Sequence, residues 1–269
     1  ARGRLHPLCE AQGWRLAHWK TAADEINYRR FFDINDLAGL SMDNPEVFDR
    51  THRLVMEWIS QGKVQGLRID HPDGLRDPLD YCRRLQEAAR VARGPRGGRR
   101  SLNPSTGCDN PSCEPEAVYI ALEKILIGDE QLPQDWPVHG TTGYEYASAA
   151  TGMLIDQSAE AALERIYNRF VGRKTEFAEL LYRCKKMIVH GPLASELNVL
   201  ATDLNRIAES DRPTRDFTLS RIKEALAEVV ACFPVYRTYV TGRGVSPEDR
   251  RYVDQAIAEA RMRSQAIDI

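Results

Sequence analysis

The side chains best suited to catalysis lie in one short stretch, residues 64–74, which reads VQGLRIDHPDG. Apolar strand formers precede Asp70 and a polar loop follows it, so the pattern predicts a buried parallel strand that ends in a polar site. Arg68 lies two residues earlier and therefore projects from the same face of the strand. A cation there would keep the Asp70 carboxylate ionised and oriented, as a nucleophile requires. An ion pair that only fixes the strand end explains the pattern equally well.

A second carboxylate stands at the end of another predicted strand. Residues 118–126, VYIALEKIL, indicate a buried strand that ends at Glu123. The carboxyl ends of adjacent parallel strands meet at one edge of a sheet, so Asp70 and Glu123 are expected to lie together. Two carboxyl groups across a glycosidic bond can transfer a glycosyl group, one as nucleophile and the other as general acid and base. A separation of about 5–5.5 Å would give retention of configuration.

Two other chemistries compete at the same place. His71 and Asp73 could join the two carboxylates around a divalent cation, although this loop has no recognised ligand spacing. Lys124 points to the other side of the strand from its neighbour Glu123, which argues against a Schiff base at this site. We therefore predict no cofactor and no resident metal.

The elements around the first strand are predicted to be helices. Asp43 or Asn44 can cap a helix that starts at Pro45, and Asp77 can cap another that starts at Pro78. Helix, strand and helix in this order are typical of a parallel α/β sheet or barrel. Residues 93–115, rich in Gly, Pro, Ser and Arg, interrupt the pattern and are interpreted as a surface loop or insertion.

The second half of the chain is predicted to be helical. Ser246, with Asp249 three residues later, is a capping pattern for the last helix, and only residues 235–240, VYRTYV, could add a strand. The sequence thus indicates an α/β domain over residues 1–156, which carries both catalytic strand ends, and a helical subdomain over residues 157–269. The helical patterns cover residues 159–170, 175–189, 193–209, 216–233 and 247–263.

The structural roles expected for two further stretches depend on how their apolar residues are interpreted. Residues 28–40 mix aromatic and charged side chains with neither a helical nor a strand period, so they form an irregular covering loop or a sugar-binding wall. The helix at 175–189 has an apolar stripe that we expect to be core of the helical subdomain. That stripe consists of Phe177, Leu180, Leu181, Cys184 and Ile188.

Composition limits the partners and the compartment. The 269 residues carry a net charge of −2 with acids and bases mixed along the chain, which argues against nucleic acid and anionic membranes and favours neutral partners. No apolar run reaches the ~20 residues that span a bilayer. The six scattered cysteines favour reduced thiols in a cytoplasm, and the close pair Cys108 and Cys113 lacks a second pair of zinc ligands.

Several motifs resemble those of a known enzyme family. GLRIDHPDGL, residues 66–75, resembles the second conserved region of the α-amylase superfamily, and ALEKIL, residues 121–126, resembles its acid-bearing third region. More narrowly, the stretch from Trp19 to about Arg263 is similar to the maltooligosyltrehalose synthases, or (1→4)-α-D-glucan 1-α-D-glucosylmutases. Five motifs in the same order carry this likeness: YRRFFDINDLAGL at 28–40, LEKIL at 122–126, GTTGY at 140–144, RDFT at 215–218 and FPVYRTY at 233–239.

The resemblance implies part of a (β/α)₈ barrel of the TIM type with an inserted all-helical subdomain. It also implies an intramolecular transfer, in which the reducing-end α-1,4 linkage of a maltooligosaccharide becomes an α,α-1,1 linkage. By motif position Asp70 would be the nucleophile, Glu123 the general acid and base, and Arg68 the residue that orients Asp70. His71 would line the same sugar subsite.

The transfer needs a closed, water-poor pocket, for whose walls Tyr144, Tyr236 and Arg237 are candidates, although ordinary core or surface roles stay open for all three. The expected partners are the maltooligosaccharide and, functionally, a hydrolase that cleaves maltooligosyltrehalose. The family's first region and its fourth, with a third catalytic Asp, are not found, so the chain is expected to be the middle of the enzyme. A glucan hydrolase and a glucan-binding fragment remain alternatives.

Overall fold

The computed structural model describes residues 2–13, 15–94, 117–242 and 244–264. Residues 95–116, and with them Cys108, Cys113 and nearly all of the predicted loop at 93–115, lie outside the described residues. The strands are β1 (Arg30–Phe31), β2 (Ile34–Ala38), β3 (Gly66–Ile69), β4 (Tyr119–Leu122) and β5 (Gly140–Thr141). The helices are α1 (Arg2–Glu10), α2 (Ala22–Glu25), α3 (Pro45–Ser60), α4 (Pro78–Arg93), α5 (Tyr144–Gly152), α6 (Glu160–Val171), α7 (Phe177–His190), α8 (Ala194–Ser210), α9 (Leu219–Ala231) and α10 (Pro247–Arg263).

The chain divides into two compact units, each assembled from segments that are distant in sequence. The first unit comprises residues 1–39, 175–233 and 253–269, and the second comprises residues 40–174 and 234–252. This division differs from the single boundary between residues 156 and 157 that the sequence suggested. The difference arises because residues 234–252 pack with the strands of the second unit, where Tyr239 contacts the apolar core.

A parallel sheet in the order β3-β4-β5 is the centre of the second unit. In its register Ile69 pairs with Leu122, and Ala121 pairs with Gly140. Ile120 and Leu122 are fully buried, as expected for a strand covered on a face by helices. The two strands that the sequence predicted are therefore adjacent and parallel. The predicted combination of a parallel sheet with many helices is confirmed.

The helices α3 and α4 begin where their capping residues predicted. The Asn44 side chain accepts a hydrogen bond from the amide of Glu46 at 2.9 Å, and the Asp77 side chain accepts one from the amide of Asp80 at 3.0 Å. Each cap satisfies an amide that the helix itself leaves without a partner. Both helices then contribute to the core of the second unit, through Phe48, Ile59, Cys82, Leu85 and Ala89.

One buried polar side chain, Gln86 of α4, holds the start of β4 in place. Its Nε2 donates to the carbonyl oxygens of Val118 at 2.9 Å and Pro137 at 3.0 Å. Its Oε1 accepts from the amides of Ala117 at 2.9 Å and Val118 at 3.1 Å. The side-chain amide of Gln86 thus satisfies four backbone groups at the start of β4, the strand that Glu123 follows. Without Gln86, the irregular connection there would leave these groups unpaired.

In the first unit, residues 28–40 are more regular than the sequence indicated. β1 and β2 pair as an antiparallel hairpin, and Phe32 in its turn adopts a φ of 53°. The buried Arg30 donates from Nη2 to Glu196 Oε1 at 2.6 Å and to the Pro192 carbonyl at 2.9 Å. The interpretation as an irregular loop is wrong because these contacts order the segment, whereas a sugar-binding role for it stays a prediction.

The apolar stripe of α7 is not core, so that expectation is wrong. All its members are solvent-exposed, and the buried side of α7 is instead marked by Val189. On that side, the Tyr182 hydroxyl and the Lys186 ammonium group each donate a 2.6 Å hydrogen bond to the Glu228 carboxylate of α9. A buried carboxylate that needs two donors therefore determines which face of α7 meets α9, and apolar periodicity does not report such a requirement.

Residues 235–240 do not form the strand that their composition suggested. The amide of Tyr239 donates to the Asp249 side chain at 3.0 Å. It therefore pairs with a residue in the first turn of α10 and not with the backbone of a neighbouring strand. The cap of α10 is as predicted, since the Asp249 amide donates to Ser246 Oγ at 2.9 Å. None of the helices in the described ranges combines the length and apolar character that crossing a membrane would require.

Replacing Gln86 tests whether it supports the strand that leads to Glu123. We expect Gln86→Leu to lower the free energy of unfolding by at least about 3 kcal/mol, because it leaves four backbone groups without this partner and each one that stays unpaired costs about 1–3 kcal/mol. Urea denaturation measures the change. The matched control is Gln131→Leu, which alters an exposed glutamine and should change stability by less than about 0.5 kcal/mol. Equal effects of the two substitutions would contradict this role.

Candidate active site

The ends of the three parallel strands place functional side chains at one edge of the sheet. Asp70 follows β3, Glu123 follows β4, and Tyr144 begins the helix after β5. The pairing continues past the strands, since the Glu123 amide donates to the Ile69 carbonyl at 2.8 Å. The backbone of both carboxylate-bearing residues is therefore fixed by the sheet, as the sequence pattern predicted.

The two carboxyl groups form a hydrogen bond with each other. Arg68 Nη2 forms an ion pair with Glu123 Oε2, and the Tyr144 hydroxyl donates to Glu123 Oε1 at 2.9 Å. The sequence suggested that Arg68 serves Asp70, its neighbour on the same strand face. In the structure its guanidinium instead reaches across to the next strand, because the carboxylate there can accept it together with Tyr144.

The neighbouring groups shift the pKa values of the two carboxyl groups in opposite directions. The hydrogen bond with Glu123 raises the pKa of Asp70, and burial and the Glu123 charge act in the same direction. The hydrogen bonds from Asp70 and Tyr144 lower the pKa of Glu123, and Arg68 adds to this effect. The two carboxyl groups are therefore inequivalent, and Asp70 holds a proton more readily than Glu123 does. The Arg68 charge also lowers the pKa of Asp70, in the direction that the sequence suggested, and its role in orienting Asp70 stays a prediction.

The loop after Asp70 holds His71 in an unusual backbone conformation. His71 adopts φ 45° and ψ 54°, a left-handed conformation that few residues other than glycine adopt. Gly74 makes this possible, because a Cβ there would lie 2.5 Å from His71 Cδ2. The ring of Tyr236 meets the His71 ring edge to face at a centroid distance of 5.8 Å. The structure thus brings together two residues that the sequence placed in the same pocket.

Arg237 supports the same loop through hydrogen bonds to its backbone. Its Nη1 donates to the carbonyl oxygens of Asp73 at 2.9 Å and Leu75 at 2.6 Å, and its Nε donates to Thr238 at 3.0 Å. The guanidinium is therefore engaged with backbone, and a contact with substrate stays a prediction. What the structure shows is a side chain that fixes the loop between Asp70 and α4.

Sequence reasoning missed a buried cluster of charges beside the site, formed by Asp73, Lys124, Glu130 and Tyr239. The Lys124 side chain is fully buried and forms ion pairs with Asp73 at 3.1 Å and Glu130 at 2.7 Å. The position of Lys124 was a usable signal, because alternation places it inward with Ile120 and Leu122. The Asp73 carboxylate is thus paired with a lysine. The described residues contain no group of three or more His, Cys, Asp or Glu side chains suited to a metal ion.

Comparisons with known proteins agree with the motif resemblance. No protein-family model matches the chain. A curated Mycobacterium tuberculosis (strain CDC 1551 / Oshkosh) protein, "Putative maltooligosyl trehalose synthase", is 33% identical over 204 residues, which cover 76% of this chain and 23% of that protein. The maltooligosyltrehalose synthase structure from Arthrobacter ramosus is similar at 34% identity and a TM-score of 0.75, over 96% of this chain and 29% of that one. The structure titled "DSM5389 glycosyltrehalose synthase" is similar at 27% identity and a TM-score of 0.70, over 99% of this chain and 31% of that one.

Tyr144 offers a test of the electrostatics that does not depend on turnover. In Tyr144→Phe the ionised Glu123 loses a donor, so we expect its pKa to rise and that of Asp70 to fall as the proton is shared more evenly. Carbon-13 NMR titration of labelled carboxyl groups measures both values. Tyr146→Phe, an exposed neighbour on α5, is the control and should leave them unchanged. An unaltered Glu123 titration in Tyr144→Phe would show that the hydroxyl does not stabilise the carboxylate.

Proposed function

The chain is homologous to a segment of the maltooligosyltrehalose synthases, and on that premise we propose that the full-length gene product converts the reducing-end α-1,4 linkage of a maltooligosaccharide into an α,α-1,1 linkage. The observation that carries the proposal is the pair Asp70 and Glu123 at the ends of two adjacent parallel strands. The chain spans 23% of the curated relatives and less than a third of the similar solved structures. Substrate and activity are therefore proposed for the whole protein.

The proposed reaction has two displacements at one carbon. Asp70 attacks the anomeric carbon next to the reducing-end glucose, while Glu123 protonates the glycosidic oxygen and so releases that glucose. The glucose then turns over in the pocket, and Glu123 removes the proton of its anomeric hydroxyl as that oxygen attacks the same carbon. Asp70 is regenerated as a carboxylate. Two inversions leave the transferred linkage in the α configuration.

The proposed roles need the opposite order of the two carboxyl pKa values. A nucleophile must be ionised and a general acid protonated, whereas the surrounding groups raise the pKa of Asp70 and lower that of Glu123. A glycosidic bond that enters between the carboxyl groups breaks their mutual hydrogen bond. Arg68, which is half exposed, can then turn from Glu123 to its strand neighbour Asp70. That movement would lower the pKa of Asp70 and let the pKa of Glu123 rise, and it would give Arg68 the orienting role that the motif implied.

Transfer to glucose succeeds only if water is excluded from the intermediate. His71 and Tyr236, in edge-to-face contact, would form one wall of the pocket. Tyr144, whose hydroxyl donates to Glu123, would form another. Arg237 would act indirectly by holding the loop that carries His71. The three parallel strands, with helices following β3 and β5, would be part of a (β/α)₈ barrel whose remaining strands come from flanking regions.

Further properties follow from the same proposal. The product, a non-reducing oligosaccharide with a terminal trehalose unit, would be the substrate of a hydrolase that releases trehalose. The enzyme would be an isomerase of trehalose biosynthesis, since no atom is gained or lost. A cytoplasmic location stays a prediction.

Trapping the intermediate tests the assigned roles. With a fluorinated maltosyl donor, mass spectrometry of the full-length gene product should find the label on the peptide that contains Asp70. Asp70→Asn should abolish labelling, whereas Glu123→Gln should retain it, because a good leaving group needs no proton. Asp129→Asn, an exposed acid, is the control and should label normally. Label on any other residue would refute the assignment of the nucleophile.

The fate of maltopentaose distinguishes an isomerase from a hydrolase and from a binding protein. We expect the full-length gene product to form a non-reducing oligosaccharide of unchanged mass, with little free glucose. Loss of reducing ends at constant mass is the signature of isomerisation. Shorter reducing sugars would favour the hydrolase, because water would then win at the intermediate. Bound but unchanged maltopentaose would favour a protein that only binds glucan.

A further inference from the structure

The strongest unexplained feature of the second unit is the buried charge of Lys124. Its side chain has no solvent exposure, and its Nζ lies 3.1 Å from Asp73 Oδ2 and 2.7 Å from Glu130 Oε1. Nζ also lies 5.6 Å from the centroid of the Tyr239 ring. A buried ion pair seldom stabilises a fold more than apolar side chains of the same size would, so its position calls for another explanation.

Both ends of this interaction are next to the catalytic carboxylates in sequence. Lys124 directly follows Glu123, and Asp73 lies three residues after Asp70 in the loop that leaves β3. Strand alternation sends Glu123 towards the site and Lys124 away from it. The ion pair between Lys124 and Asp73 therefore ties the end of β4 to the β3 loop on the side away from the substrate.

The partners of Lys124 are themselves fixed. The Tyr239 hydroxyl donates to Asp73 Oδ1, and burial together with the Asp73 charge raises the pKa of Tyr239, so the hydroxyl keeps its proton. Glu130 Oε2 accepts from the Ile127 amide at 3.2 Å, which ties Glu130 to the turn after β4. Lys124 is thus the only cation in direct contact with both carboxylates among the described residues, and each carboxylate has a further partner.

We propose that Lys124 is a positioning residue that sets the spacing between Asp70 and Glu123 by joining the two strand-end loops. This inference rests on the proposed function for its effect on the reaction, but not for its effect on geometry. A dispersed apolar contact would allow the loops to slide, whereas one ammonium group between two directed carboxylates fixes their separation. The carboxyl pair needs such a constraint because a retaining transfer works only within a narrow range of separations.

Two substitutions and a rescue test the proposal in the full-length gene product. Lys124→Met removes the charge at nearly constant length, and Lys124→Arg restores it. Tyr239→Phe removes only the hydroxyl that fixes Asp73, and it decides the question if Lys124→Met fails to fold. Lys63→Met and Tyr167→Phe are matched controls, because both residues are exposed.

The first readout needs no activity. Loosened loops let the two carboxyl groups separate, so in Lys124→Met and Tyr239→Phe the pKa of Asp70 should fall towards its ordinary value and that of Glu123 should rise. Carboxyl carbon-13 titration measures this, and Lys124→Arg should restore part of the parent behaviour. Titration curves that match those of the parent protein in both variants would overturn the proposal, whether or not the protein is an enzyme.

The second readout separates positioning from folding. With α-maltosyl fluoride, the amplitude of the fluoride burst counts intact sites and its rate reports the chemical step. Tyr239→Phe should retain the amplitude and lose about tenfold in rate, because a small misplacement of the reacting groups slows the chemical step. A lower amplitude at unchanged rate would mean that the cluster only stabilises the fold. No burst from the parent protein would refute the proposed function, and the titration would still decide the role of Lys124.

Discussion

The register between β3 and β4 is the constraint on which the candidate site depends. Because Ile69 pairs with Leu122, the next residue on each strand leaves the sheet at the same level, and these residues are Asp70 and Glu123. A slip by one residue would turn one of the carboxylates to the opposite face. The Gln86 amide fixes the start of β4 and the Lys124 ion pair fixes its end. The register is thus defined by polar contacts at both ends of a strand that has only four residues.

Bringing two carboxyl groups into contact has an electrostatic consequence that the surrounding residues resolve. Two adjacent anions repel each other, so the pair retains one proton at pH values where an isolated carboxyl would have lost it. Arg68 and Tyr144 both donate to Glu123 and so favour the proton on Asp70. The two pKa values are therefore shifted in the order opposite to the one that the proposed roles require. Substrate between the carboxyl groups would separate them and free Arg68 to pair with Asp70, and this would reverse the order.

Sequence patterns predicted those features that depend on backbone periodicity and local capping. The ends of two predicted parallel strands placed Asp70 and Glu123 at one edge, and the Asn44 and Asp77 caps located the flanking helices. Features that depend on contacts between distant segments were not predictable in this way. The reach of Arg68 to the neighbouring strand, the hairpin held by Arg30 and the rotated face of α7 all result from polar pairing across large sequence separations. Apolar periodicity carries no information about such partners.

Lys124 shows how far a strand pattern can be interpreted when charge is included. An inward-facing lysine on a buried strand must find anions, since an unpaired buried ammonium group would lose its proton or unfold the site. The nearest sources are the polar loops at the strand ends, which are also the segments that carry catalytic side chains in parallel sheets. The anions it meets are Asp73 and Glu130. A buried lysine immediately after a carboxylate at a strand end therefore indicates that a polar loop is fixed to that strand, and the residues EK at 123–124 carry this indication in the sequence itself.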